Sequence, residues 1–285
     1  MDSEISSTPL VTIGIPVFNG EQTISKLINS IQNQTFKNFL LIISDNASTD
    51  STQKICQDFA NNDSRIKYVR QKQNQGMIKN WNFVLELANT KYFAWIEADD
   101  YYHSEFLEKN INILESNENF VGSIGNTVYF DFPDKTPQAI HSIGSYEKKV
   151  KAYLKFNRGA GIFAVYRTKL YQKSTVYREF ASWDLQIVLN VLKFGDLNVI
   201  DEEQHYRSIH GISSKSNILY EYRAGISLFN IIFPYSTTTF FCIKTLGLKF
   251  FFKNFVIFLR LNGNGAYLRT KDFIKLCKNA VFNRK

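Results

Sequence analysis

Cysteine is scarce: Cys56, Cys242 and Cys277 lie far apart in 285 residues. Their spacing fits neither a metal-binding cluster nor a disulfide framework, and favours a reducing compartment. The opening Met1-Asp2-Ser3-Glu4 is polar and acidic, which predicts no secretory signal. No internal repeat occurs. Charged residues are only 21% of the chain against 44% hydrophobic, a balance that excludes a disordered or collagen-like chain. A long hydrophobic run is also missing. Residues 224–243 carry no charge, but Asn230, Pro234 and four consecutive hydroxyl residues from Ser236 make them a poor bilayer span. Acid is scarce at one end: residues 244–285 hold ten Lys or Arg and one acid, Asp272. That tail carries +9 of a total of +8, leaving the preceding 243 residues at −1. A uniformly basic nucleic-acid binder does not distribute charge this way. Nucleic acid is therefore not expected as a partner.

What the chain does have is alternation. Residues 10–17 form an apolar, β-branched run followed by the turn Phe18-Asn19-Gly20. Ile24, Leu27, Ile28 and Ile31 then recur at helical spacing within residues 21–34. The same strand-to-helix pattern repeats: strands at 39–43, 66–69 and 92–96, helices from about 51 to 60, at 76–89 and at 104–116. Four strands alternating with helices predict a mostly parallel α/β sheet covered on both faces. Right-handed crossovers put every strand C-terminus on one edge, where such sheets bind ligands. Three polar clusters fall there: Phe18-Asn19, Asp45-Asn46 and Glu97 to Asp100. They predict a site for a nucleotide or phosphorylated small molecule. Beyond residue 120 the pattern loosens. It predicts one or two strands over 121–132, another at 161–166, an amphipathic helix over 182–194, a short strand at 197–200 and a polar loop to 216.

Four constellations carry chemistry. In Trp95-Ile96-Glu97-Ala98-Asp99-Asp100 a buried strand runs into three carboxylates, with Glu97 and Asp99 on one face of an extended segment. Clustered carboxylates repel unless a cation neutralises them, and hard oxygen donors suit Mg²⁺ or Mn²⁺; the alternative is a solvated turn with a helix-capping Asp. Asp45 ends the second strand, either as an acceptor for a nucleobase or ribose or as an Asx turn. Asp184 shares a helix face with Ile187, Val188 and Val191, an unusual place for an acid. It is either functional or a first-turn Asp favoured by the helix dipole, with Ser182 as N-cap. His210 and Arg207 fall in the loop, within reach of a diphosphate or metal, or simply on the surface.

In this order the four resemble glycosyltransferase family 2 over roughly residues 9–215. The matching pieces are Val11 to Glu21, Ile42 to Thr52, Asn74-Gln75-Gly76 with Lys79-Asn80, Glu97-Ala98-Asp99-Asp100, and Asp184 eleven residues before Gly195. The resemblance implies a GT-A fold of bacterial type and an inverting transfer from a UDP-, GDP- or dTDP-linked sugar. It implies a nucleotide-sugar pocket lined by Pro16, Val17, Phe18, Asn19, Asp45, Lys79 and Ala98. It also implies Mn²⁺ or Mg²⁺ held by Asp99 with Glu97, Asp100 and His210, and Asp184 as general base. Glu97 stands where the family more often has Asp, Asn46 where a second Asp is frequent, and Trp183 where Glu is usual. A sugar-phosphate nucleotidyltransferase is the alternative enzyme, but Phe18-Asn19-Gly20-Glu21 lacks the Gly cluster and Lys of a phosphate loop.

The domains expected are a catalytic unit at 1–215 and a helical, basic and aromatic segment at 216–285. Within the latter, residues 249–260 read as an interfacial helix suited to anionic headgroups; the alternative is a helix packed on the catalytic unit with its basic face in solvent. The expectation is a cytoplasmic enzyme, peripheral on the inner face of the cell membrane. Its acceptor would be a glycan or lipid-linked, in surface polysaccharide or glycolipid synthesis.

Overall fold

The computed structural model describes residues 8–130, 141–156, 160–177, 182–208 and 227–282. The parallel half of the fold follows the apolar pattern closely. Strand β1 (Val11–Val17) is buried along almost its whole length, as a strand covered on both faces must be. It pairs in parallel with β2 (Phe39–Asp45) on one side and β4 (Tyr92–Trp95) on the other, and β2 pairs with β3 (Ile66–Arg70). Helices α1 (Ile24–Gln32), α2 (Thr52–Asn62) and α3 (Met77–Glu86) are the crossovers. Helix α3 lies close over β1 because Gly14 has no side chain there; a Cβ would stand 2.4 Å from Val84 Cγ1.

The second half is mixed. Strand β5 (Tyr101–Tyr102) and helix α4 (Phe106–Ser116) precede the long β6 (Phe120–Tyr129). Then come α5 (Tyr146–Phe156), a 3₁₀ turn (Ala160–Phe163), β7 (Val165–Arg167) and α6 (Thr168–Gln172). Helix α7 (Trp183–Val191) and β8 (Asp196–Arg207) follow. The eight strands form one sheet in the order β3-β2-β1-β4-β7-β6-β8-β5. β7 is antiparallel to β4 and β6, β5 is antiparallel to β8, and β6 runs parallel to β8.

That order forces curvature. β4 and β5 are four strand spacings apart, ~19 Å in a flat sheet at ~4.8 Å each. The six residues from Trp95 to Tyr101 reach ~20 Å only if fully extended, yet residues 98–99 form a turn. The sheet curls instead, and the Tyr102 hydroxyl donates to the Trp95 carbonyl at 2.8 Å. The 96–100 loop is thereby gripped between the central strand and the far edge.

Three sequence expectations change. The short strand expected at 197–200 runs on to Arg207, and the 201–208 segment is mostly strand rather than loop. Bulges against β6, between Gly125 and Asn126 and again before Thr127, break its alternation of inward and outward residues. The region expected as a strand at 161–166 opens as the 3₁₀ turn, and strand begins only at Val165. The expected interfacial helix at 249–260 is a corner between two helices, α9 (Ser236–Lys253) and α10 (Phe255–Phe282). They break at Asn254, whose side chain caps the Phe250 carbonyl. α9 itself kinks at Gly247, which has φ +82°. A short α8 (Leu228–Ile232) precedes them. Cys242, Phe250, Phe258 and Leu261 from these helices join the buried core. The boundary expected at 215/216 lies outside the described residues. No helix among the described residues is long and apolar enough to cross a membrane.

Candidate active site

At the C-terminal edge of the parallel strands, the turns after β1 and β2 are laced together. Asn19, held at φ +54°, donates its N–H to Ser48 Oγ and accepts from the Thr49 N–H through its side chain. The Gly20 and Glu21 N–H groups reach Thr52 and Asp50. Phe18 stands exposed beside this lacing. Pro16 and Val17 sit opposite Ser44 and Asp45 in the β1–β2 register.

Asp45 is fully buried. Parallel register sets it against Arg70, which donates to Oδ2 at 2.7 Å, while the Tyr68 hydroxyl donates to the same oxygen at 2.6 Å. The Ser48 N–H donates to Oδ1. A carboxylate has about four acceptor sites, so three are taken. The site therefore presents Asp45 through a cover of Tyr68 and Arg70, neither of which was singled out from sequence. Asn46 braces the next loop: its amide donates to Asn74 Oδ1 and the Gly76 carbonyl and accepts from the Gln75 N–H. An Asp there could accept but not donate, which accounts for the amide. Lys79 follows on the first turn of α3 and is exposed. Ala98 lies against the β1–α1 turn at Gly20.

The carboxylates of Glu97, Asp99 and Asp100 offer oxygens all within 4.8 Å of one another. Two are tied by the end of β8. Arg207 donates to Glu97 at 2.5 Å and to Asp100 at 3.3 Å. Asp100 also receives the Ser208 N–H and His205 Nε2. Burial holds the His205 imidazole well below its usual pKa and therefore neutral; as an Nε2–H tautomer it donates to Asp100, leaving Nδ1 facing the Thr127 hydroxyl. Burial opposes the charge of Arg207, and Glu97 and Asp100 more than offset that, so it stays a cation. Asp99 makes no ion pair among the described residues. Burial first, then its two acidic neighbours, push it up to about 7. Burial raises Asp100 to about 6 against the pull of Arg207 and Ser208. With Arg207 charged and His205 neutral, three ionised carboxylates leave a net −2. Hard donors with that surplus fit a divalent cation.

Asp184 enters from the other side, in the first turn of α7. It is half-buried, and burial raises its pKa while the Leu185 N–H and Arg207 pull the other way. It is near enough to Glu97 and Arg207 for their charges to bear on it. Ser182 occupies the N-cap position but does not cap; its hydroxyl meets the Pro234 carbonyl at 3.1 Å and the Thr238 hydroxyl at 2.7 Å. Trp183 packs edge-on against Trp81, which packs likewise against Trp95. His210 lies outside the described residues.

A curled α/β sheet with laced polar loops at one end and an acidic cluster at the end of its central strand defines a GT-A-like fold. Residues 12–175 match glycosyl transferase family 2, and the chain belongs to that family. Among curated relatives, the GalNAc(5)-diNAcBac-PP-undecaprenol beta-1,3-glucosyltransferase of Campylobacter jejuni is 27% identical over 192 residues, 65% of this chain and 60% of its own. The putative glycosyltransferase EpsE of Bacillus subtilis is 32% identical over 49% of this chain and 51% of its own. The matches thus span about half of these relatives' lengths. Of solved structures, the mannosyltransferase PcManGT from Pyrobaculum calidifontis, in complex with GDP-Man and Mn²⁺, superposes with a TM-score of 0.63 at 12% identity, over 96% of this chain and 76% of that one.

Proposed function

We propose that this chain transfers a sugar, with inversion, from a nucleotide-diphosphate donor to an acceptor hydroxyl. The observation that carries the reading is the convergence of Asp45, the Glu97–Asp100 cluster and Asp184 on one end of the sheet. The nucleotide would lie along Pro16 to Asn19, with Asp45 acting through its Tyr68 and Arg70 cover. Ala98 and the exposed Lys79 would flank the diphosphate. Asp99, with Glu97 and Asp100, would hold Mn²⁺ or Mg²⁺; when bound, such an ion supplies charge against the departing nucleoside diphosphate. Arg207 fixes Glu97 and Asp100 in place. Asp184, raised by burial, takes the proton of the acceptor hydroxyl as its oxygen attacks the anomeric carbon. Attack from the side opposite the leaving group inverts that carbon.

The named relatives suggest the setting. The Campylobacter protein's name gives it a lipid-diphosphate acceptor, and PcManGT holds GDP-Man with Mn²⁺. For this chain we infer a glycan or lipid-linked acceptor in surface polysaccharide or glycolipid synthesis. A peripheral position on the cytoplasmic face of the membrane fits such an acceptor, and the basic, aromatic C-terminal helices support it. Calorimetric titration with UDP-, GDP- and dTDP-sugars, with and without Mn²⁺, tests the donor reading. Cation-dependent binding of one nucleotide class, lost in Asp99→Ala, is expected. Folded protein that binds none of them would overturn it.

A further inference from the structure

Helix α10 has two apolar faces. Phe258, Leu261 and Gly265 turn inward and are buried. Val256, Leu259, Tyr267 and Ile274 recur at helical spacing on the opposite side and are 75%, 60%, 67% and 50% exposed. A surface helix normally turns polar residues outward, so this second stripe is not explained by folding the chain. At the α9–α10 corner it continues into exposed Phe252 and Phe255, flanked by Lys249, Lys253 and Arg260.

Beside the corner a groove of about 550 Å³ opens between α5 and α10. Its wall is apolar, with Leu154 and Leu261 at the base. Lys151, Lys155 and Arg260 also line it, and among the described residues no acidic side chain does. Val256 belongs both to the groove and to the exposed stripe, so the groove opens along the flank of the stripe and adjoins it. Three cations beside an apolar trough complement an amphiphile with a phosphate head and hydrocarbon chains. A second copy of this chain is a poorer occupant, because it would set one strongly basic segment against another.

We propose that this groove seats the phosphate head group of an anionic membrane lipid while the stripe and corner lie in the interfacial layer. The inference rests on the membrane reading above and adds the site and the lipid class. Flotation of the full chain with vesicles of phosphatidylcholine, alone or mixed with phosphatidylglycerol, tests it. Wild type should float only with the anionic vesicles. Lys151, Lys155 and Arg260→Gln together should weaken binding roughly a hundredfold, about fivefold per cation at ~1 kcal/mol each. Removing three distant charges, Lys54, Lys67 and Lys169→Gln, should weaken it far less. Equal loss in both triple variants would overturn the groove and leave only general attraction. Wild type that floats with neither vesicle would overturn the membrane reading itself. A thermal shift with inorganic phosphate equal to that with the vesicles would assign the groove to free phosphate and refute the lipid. A wild-type dimer that Val256→Asp splits, without vesicle binding, would assign the face to self-association. Retained nucleotide-sugar binding and an unchanged urea midpoint show that the variants are folded.

Discussion

Arg207→Met tests whether the acidic cluster is held as described. Methionine retains an apolar stem beside Phe163, over whose ring the guanidinium sits, and deletes the charge with its N–H donors to Glu97 and Asp100. The side chains of Arg207, Asp100 and Glu97 are 13%, 0% and 33% exposed. Removing one partner of a buried pair costs ~3–5 kcal/mol. Glu97 keeps some contact with water, so the lower end, about 3 kcal/mol, is expected near pH 8 without added metal. The loss should depend on pH. Asp99 and Asp100 ionise at about 7 and about 6, against an ordinary value of 3.8. The folded protein thus holds protons that the unfolded chain has released. That stabilisation is complete below the ordinary value and is lost as pH rises through 6 and 7. Arg207 pulls both groups down, so without it both titrate higher still. Near pH 5 Asp99 and Asp100 of the variant keep their protons and the variant loses less; holding each proton as pH rises costs about 1.4 kcal/mol per pH unit. Urea melts of both proteins near pH 5 and pH 8, with chelator present, measure the difference. An equal loss at the two pH values would refute the assigned network.

Asp184→Asn should lower kcat by roughly 10²–10⁴-fold, the usual worth of a general base, while calorimetric donor binding stays unchanged; weakened donor binding would argue against that role. Gly195→Ala should cost ~1–3 kcal/mol in a urea melt, because its Cβ would stand 2.4 Å from the Asn119 carbonyl oxygen and 2.6 Å from Val121. Ser182→Ala and Thr238→Val should each destabilise by about 1 kcal/mol. The double variant should cost less than their sum, and strict additivity would mean that the 2.7 Å hydroxyl pair is not formed.

The parallel half of the fold was legible because strands buried on both faces read as continuous apolar runs and their helices as stripes. Asp45 and the Glu97–Asp100 cluster were legible for the same reason: each follows such a run directly. His205 was not, and Arg207 reads from sequence as a loop residue near a diphosphate or metal, not as the strand-borne partner of Glu97 and Asp100. His205 and Arg207 lie on the last residues of β8, where Asp201-Glu202-Glu203 is exposed and bulges erase the period of two. A two-residue strand such as β5 leaves no periodic trace at all. Arg70 and Tyr68 carried a usable signal, since pairing β3 beside β2 in parallel sets Arg70 against Asp45. The corner at Asn254 has no Pro or Gly to announce it, whereas Gly247 marked the kink in α9.

The division between catalytic unit and tail is less sharp in three dimensions than along the chain. Ser182 starts the helix that carries Asp184, yet its hydroxyl is spent on Pro234 and Thr238 of the C-terminal helices. The same helices bury Cys242, Phe250 and Phe258 in the common core and leave a second apolar face outward. One segment thus buttresses the start of the Asp184 helix with its inner side and carries the stripe on its outer side, with the groove opening at its flank. A helix whose register is fixed from within by Phe258, Leu261 and Gly265 holds its outer residues in a fixed register as well. Contact at the outer face would therefore orient the whole transferase body, active-site edge included.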